Sequence, residues 1–171
     1  MTIYNEIFHS TEWDELDKGT ITPNEAIKSI CSRLPDNLKD CATKVFENWY
    51  NDVFTIDGML NIVEKLKNKG YKLYLLSNTA QSFYEYKDNI PIMQYFNGIF
   101  TSSDCGYLKP DKEIYFAFLD KFKLNASECY FVDDMSANVE TALELGMNGS
   151  AFSGNVNELA ENLANANINI A

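Results

Sequence analysis

Apolar residues recur at helical spacing through residues 2–53, with no strand-like run to interrupt them. Ile3, Ile7 and Phe8 mark a first amphipathic helix. Thr22-Pro23-Asn24-Glu25 is a helix start: Thr as cap, Pro at the first position, Glu at the third. That helix should run to about Arg33 with Ala26, Ile27 and Ile30 inward. Asp36 opens another, on which Leu38, Cys41, Ala42, Val45, Phe46 and Trp49 form a wide apolar stripe. The pattern then changes. Residues 58–69 predict a helix with Met59, Ile62, Val63 and Leu66 inward, stopped by Gly70. Residues 71–76 predict a strand, 80–89 a helix and 99–101 a short strand. Pro110 opens a helix carrying Ile114, Tyr115, Phe118 and Leu119. Residues 129–132 are a short apolar run that suits a strand buried on both faces. After it, Val139, Ala142 and Leu143 line one helix face, closed by Gly146. Residues 150–152 and 156–163 predict a last strand and a last helix, and 165–171 a fraying tail. Strand alternating with helix signals a parallel sheet with crossover helices. The expected architecture is an α/β, Rossmann-like unit over 55–171, preceded by a helical subdomain over 1–54.

Composition narrows this picture. A chain of 171 residues, 46% hydrophobic, supports one packed domain with room for a small subdomain. No apolar run reaches the roughly 18 residues of a membrane span. The N-terminus is mixed and acidic, unlike a secretory signal. Cys31, Cys41, Cys105 and Cys129 are scattered, with one histidine in the chain, which favours free thiols in a cytoplasmic protein over disulfides or zinc. A formal net charge of −11 with dispersed Lys and Arg argues against a nucleic-acid partner.

Candidate chemistry falls at the predicted strand ends, where open α/β sheets bind ligands. Ser77 and Asn78 follow the strand of 71–76, Lys109 follows that of 99–101, and Asp133-Asp134 follow that of 129–132. Two adjacent carboxylates are costly unless offset, and Mg²⁺ commonly takes one or two carboxylates plus phosphate oxygens. A hydroxyl, a cation and an acid pair together suit a phosphoryl group. Ser77 and Asn78 also suit the cap of the next helix, where anions bind equally well. His9, Trp13, Trp49 and the aromatic stretch 83–86 read as structural.

Ser77-Asn78-Thr79, Lys109-Pro110-Asp111 and Val132-Asp133-Asp134 resemble, in order and separation, the second, third and fourth motifs of the haloacid dehalogenase superfamily. Lys109 lies 32 residues beyond Ser77, and Asp133 24 beyond Lys109. The resemblance spans the chain, and the pattern is similar to bacterial sugar-phosphate phosphatases. It implies a three-layer α/β/α core with residues 1–54 as a helical cap. It implies that Ser77 and Lys109 hold the transferring phosphoryl group with Asn78 beside it, and that Asp134, seconded by Asp133, binds Mg²⁺. The partner is then a small phosphorylated metabolite. Asn138 stands where some relatives carry a further acid. The family's first motif, an Asp-x-Asp that ends the central strand and carries the nucleophile, does not occur in this sequence. Asp17-Lys18-Gly19-Thr20 imitates it but has no strand before it and reads as a turn. The missing strand belongs between those ending at Leu76 and Val132, so the sheet must close up or leave a gap. Two readings follow: a phosphatase working through an aspartyl-phosphate whose nucleophile lies outside these residues, or a truncated or degenerate relative that binds phosphate esters or a protein partner. A phospho-acceptor receiver domain ranks below both, because its acid pair comes first in the chain. Dehalogenation also ranks lower, since dehalogenases use no metal.

Overall fold

The computed structural model describes residues 3–52 and 55–170. Four helices come first: α1 (Ile3–Phe8), α2 (Thr11–Asp17), α3 (Pro23–Arg33) and α4 (Asp36–Asn48), with a 3-10 turn at Trp49–Asp52. The expected boundary at residue 54 lies outside the described residues. Then follow α5 (Met59–Asn68), β1 (Tyr74–Ser77), α6 (Phe83–Tyr86), β2 (Gly98–Thr101), α7 (Lys112–Phe122), β3 (Tyr130–Asp133), α8 (Ser136–Glu144), β4 (Asn148–Ala151) and α9 (Val156–Asn165).

The capping box forms as read: Thr22 accepts from the Glu25 N–H, and the Glu25 carboxylate accepts from the Thr22 N–H. Ile7, Leu16, Ala26, Ile30, Ala42 and Phe46 close a core among the first four helices, joined by Ala80 from the α/β part. The α4 stripe is narrower than expected. Cys41 is exposed and Val45 is 36% exposed, because the side of α4 that sinks into the core is the Ala42–Phe46 line. The helix expected over 80–89 shortens to α6, continued by a 3-10 turn at Lys87–Asn89. The expected fraying tail instead docks: Ile168 and Ile170 pack against α5 and α9.

The strands pair as two separate parallel ribbons, β1 with β2 and β3 with β4. The sheet has therefore not closed up. Helix α7 spans both ribbons on one face, with Phe118 against Tyr74 and Phe100, and Tyr115 against Phe131. Ile62, Leu159 and Leu163 of α5 and α9 form the core on the other face, with Tyr130 of β3 packed on it. These helices keep β1 and β3 in one layer although no ladder joins them. Val132, in what should be an interior strand, is 38% exposed. Among the described residues, no helix is long and apolar enough to cross a membrane.

The β3–β4 ladder is tight at Gly149, where an added Cβ would sit 2.5 Å from the Phe131 carbonyl oxygen. Its neighbour Ser150 buries a hydroxyl without a hydrogen-bond partner. Gly149→Ala is expected to cost about 1–3 kcal/mol in urea unfolding, because backbone must give way. Ser150→Ala should be neutral or stabilising, because it removes an unsatisfied polar group. Equal losses in both would show that β4 is loosely held.

Candidate functional site

Lys109 joins the carboxyl ends of the two ribbons. Its Nζ donates to the Leu76 carbonyl of β1 at 2.9 Å and to Asp133 Oδ2 of β3 at 2.6 Å. The side chains are 9% and 6% exposed, so the pair is desolvated. Phe131 lies under the ammonium at 5.6 Å to the ring centroid. Two of the three ammonium N–H groups are thus committed, which leaves one for another acceptor.

Asn78 fixes the backbone from which Lys109 springs. Its Nδ2 donates to the Lys109 carbonyl at 2.9 Å, and its Oδ1 accepts the Lys109 N–H at 2.8 Å. One N–H and the oxygen of the amide are thus committed to the Lys109 backbone, and Asn78 makes no capping bond to α6. Ser77 ends β1 with its hydroxyl in no hydrogen bond among the described residues.

Asp133 is anchored on both oxygens. Oδ1 accepts from the Met135 N–H and from Asn138 Nδ2, each at 2.9 Å, while Oδ2 takes Lys109. Burial acts to raise its pKa. The Lys109 ammonium and the two N–H donors outweigh burial and hold the carboxyl below the usual range. Buried Asn138 is itself held, its carbonyl accepting from the Tyr115 hydroxyl at 2.8 Å. Asp134, one residue on, is exposed and makes no hydrogen bond or ion pair among the described residues. Among those residues no three His, Cys, Asp or Glu side chains gather into a closed metal cage. The acid pair thus divides into one spoken-for carboxylate and one free hard-oxygen donor.

A junction missed in the sequence lies beyond β1 and β2. The buried Ser102 hydroxyl donates to the Asp17 carbonyl at 2.6 Å and accepts the Thr79 N–H at 2.9 Å. Gly19, at φ +71°, brings its backbone against Ser103, an approach that a side chain there would crowd. Asp17 ends α2 without a preceding strand, as expected of a turn, yet its residue is only 9% exposed. Burial, then the nearby Asp14 charge, pushes its pKa up to about 7, and only the Ala80 N–H facing it works the other way. The one available signal was helical phase: Asp17 follows Trp13 by four residues and so shares its inward face.

The aromatic residues gather beside this junction. Tyr50 and Tyr86 stack at 4.9 Å and 12°, with Trp49 edge-on to both.

Comparison with known proteins relates the chain to a family. The profile described as Haloacid dehalogenase-like hydrolase matches residues 4–152. The chain is 26% identical over 170 residues to flavin mononucleotide hydrolase 1 of Arabidopsis thaliana, covering 97% of this chain and 66% of that protein. It is 27% identical over 150 residues to the D-ribitol-5-phosphate phosphatase of Bacteroides thetaiotaomicron, covering 81% of this chain and 70% of that protein. A magnesium complex of a haloacid dehalogenase family enzyme from the same bacterium superposes with a TM-score of 0.70 at 26% identity, covering 88% of this chain and 80% of that one. The chain thus spans about two thirds of the length of the flavin mononucleotide hydrolase.

Proposed function

The chain belongs to the haloacid dehalogenase-like hydrolase family, and from that premise we propose that it carries the phosphate-holding part of a Mg²⁺-dependent phosphatase. The substrate is a small phosphorylated metabolite, the sugar-phosphate class included. The helical region over 1–54 acts as the cap that closes on it. The four free cysteines favour a reducing, cytoplasmic setting.

One observation carries the reading. Lys109, its side chain 9% exposed, is held from two strands and keeps one uncommitted N–H at the strand ends that also carry the free Ser77 hydroxyl and the free Asp134 carboxylate. Such a fixed cation and donor stabilise a transferring phosphoryl group without reorganising during reaction. Ser77 donates to one phosphate oxygen and Lys109 neutralises another. Asp133 serves as the anchor of Lys109, since both its oxygens are taken. Asp134 is the residue that fits Mg²⁺: an unpaired hard-oxygen donor at a strand end, which would hold the ion. The ion would supply charge neutralisation on the phosphate. The attacking carboxylate comes from outside these residues, on a strand seated between β1 and β3. Its oxygen bonds to phosphorus as the alcohol leaves with a proton. Water then hydrolyses the acyl phosphate, which frees inorganic phosphate and the carboxylate.

The test has two arms. The 171-residue chain should bind inorganic phosphate by calorimetry only with Mg²⁺ present, and Asp134→Asn should remove that dependence. Extended by an apolar strand ending in Asp-x-Asp, it should release phosphate from an aryl phosphate, with Lys109→Ala lowering the rate by about 10²-fold or more. Turnover by the unextended chain would sink the outside-nucleophile reading. Binding without turnover in the extended chain would favour the non-catalytic phosphate-ester binder.

A further inference from the structure

The Tyr50–Tyr86 stack is, among the described residues, the one near-parallel aromatic pair; every other ring contact is tilted or edge-on. Its partners come from different parts of the chain. Tyr50 lies in the 3-10 turn after α4, and Tyr86 ends α6, shortly after β1. Trp49 stands edge-on to both rings at 6.2 and 6.3 Å, and Phe83 supports Tyr86 at 5.5 Å and 85°. Tyr86 is fixed at its hydroxyl end. Its phenol lies beside the Thr79 side chain and in the field of Asp17, with burial the largest cause of its raised pKa. Thr79 is two residues beyond Ser77, so the segment that Tyr86 touches continues directly from the strand end that carries the free hydroxyl. Tyr50 is 36% exposed, so the stack is open to solvent rather than sealed in a core. Lys87, the residue after Tyr86, is paired with Asp88. The panel therefore offers flat apolar area and edge-on walls. A subsite for a bare polyol needs several convergent donors and acceptors instead.

Resting on the phosphatase reading above, we propose that Trp49, Tyr50 and Tyr86 form the leaving-group subsite and select phosphate esters whose alcohol carries a flat, apolar ring. The phosphate sits at Ser77 and Lys109 while the ring lies against the panel between the helical region and the α/β part. Because the two tyrosines belong to opposite sides of that junction, ring binding also draws the sides together.

Calorimetry on the 171-residue chain tests this with four probes in Mg²⁺: 1-naphthyl phosphate, 1-naphthol, glycerol 3-phosphate and inorganic phosphate. Naphthyl phosphate should bind about tenfold tighter than glycerol 3-phosphate, the order of one aromatic contact. Tyr86→Leu should erase that advantage and leave glycerol 3-phosphate unchanged. Tyr50→Leu, at a half-exposed position, should do the same where Tyr86→Leu does not fold. Lys109→Met should abolish binding of all three phosphate probes yet keep that of 1-naphthol. Equal affinities for the two esters, or an advantage that persists in the folded leucine variants, would overturn the subsite. Failure of all three phosphate probes overturns the phosphate reading alone. In that case 1-naphthol decides: binding lost in Tyr50→Leu sustains the ring subsite, and no binding removes it.

Discussion

Lys109→Met should destabilise the chain by about 3–5 kcal/mol at neutral pH, the usual cost of leaving a buried charge without its partner. The lost attraction is the smaller part. Asp133 stays behind with its side chain 6% exposed, and the Met135 and Asn138 donors satisfy only one of its oxygens. Asp133→Asn, which strands the lysine, should cost a similar amount. The double variant Lys109→Met/Asp133→Asn should recover most of the loss, since no charge is then buried alone. Acid should separate the cases further. The native carboxyl is held below the usual range, so its stabilising contribution is complete above that range and disappears as pH falls through its folded pKa. In Lys109→Met the carboxyl is raised instead, so protonation relieves it and the deficit should shrink from about pH 7 to about pH 4. Urea midpoints of the four proteins at both pH values measure this. Asp134→Asn is the control: an exposed, unpartnered carboxylate should change stability by under about 0.5 kcal/mol while removing the Mg²⁺ response. A deficit in Lys109→Met that ignores both pH and the second substitution would mean that Lys109 matters only through its packing on Phe131.

Much of this arrangement is legible in the sequence, for local reasons. The Thr22–Glu25 capping box and the glycine stop after α5 are decided within one helical turn, and both appear as read. Alternation of short apolar runs with helical periods gives parallel strands, and parallel strands place Ser77 and Asp133 at one end of the layer. Long-range features are not legible. Nothing near Asn78 announces that its amide is spent on the Lys109 backbone, 31 residues away. Nor does the pattern of α4 reveal that Cys41 and Val45 face solvent, since periodicity marks a face without saying how wide its partner is. The division of the acid pair into one paired and one free carboxylate depends on which of them Lys109 reaches from 24 residues away. The gap between β1 and β3 was legible as an alternative only. No ladder closes it, although α7 packs on both ribbons.

Asp17→Asn should raise stability above neutral pH, a gain unusual for a buried site. The carboxyl titrates near 7 in the folded chain against 3.8 for the ordinary group. Between those values the folded state binds a proton that the unfolded state releases, so native stability falls as pH rises from about 4 to about 7 and is flat beyond. Three pKa units correspond to about 4 kcal/mol, an upper bound because the junction can relax around the charge. The variant keeps the shape and an acceptor for the Ala80 N–H but cannot ionise. At about pH 8 it should therefore exceed the parent by about 2–4 kcal/mol, while at about pH 4 the two should agree within about 1 kcal/mol. Urea unfolding across that range isolates Asp17, because every other titrating group is common to both proteins. Identical pH profiles would show that the carboxyl finds water or a cation in solution. The consequence for function follows from position. Asp17 ties α2 to the Thr79–Ser102 junction beside the aromatic panel, so its ionisation bears on a place where the helical region meets the strand ends. Asp17→Asn should thus also flatten the pH dependence of 1-naphthol affinity, a readout independent of Lys109 and of any turnover.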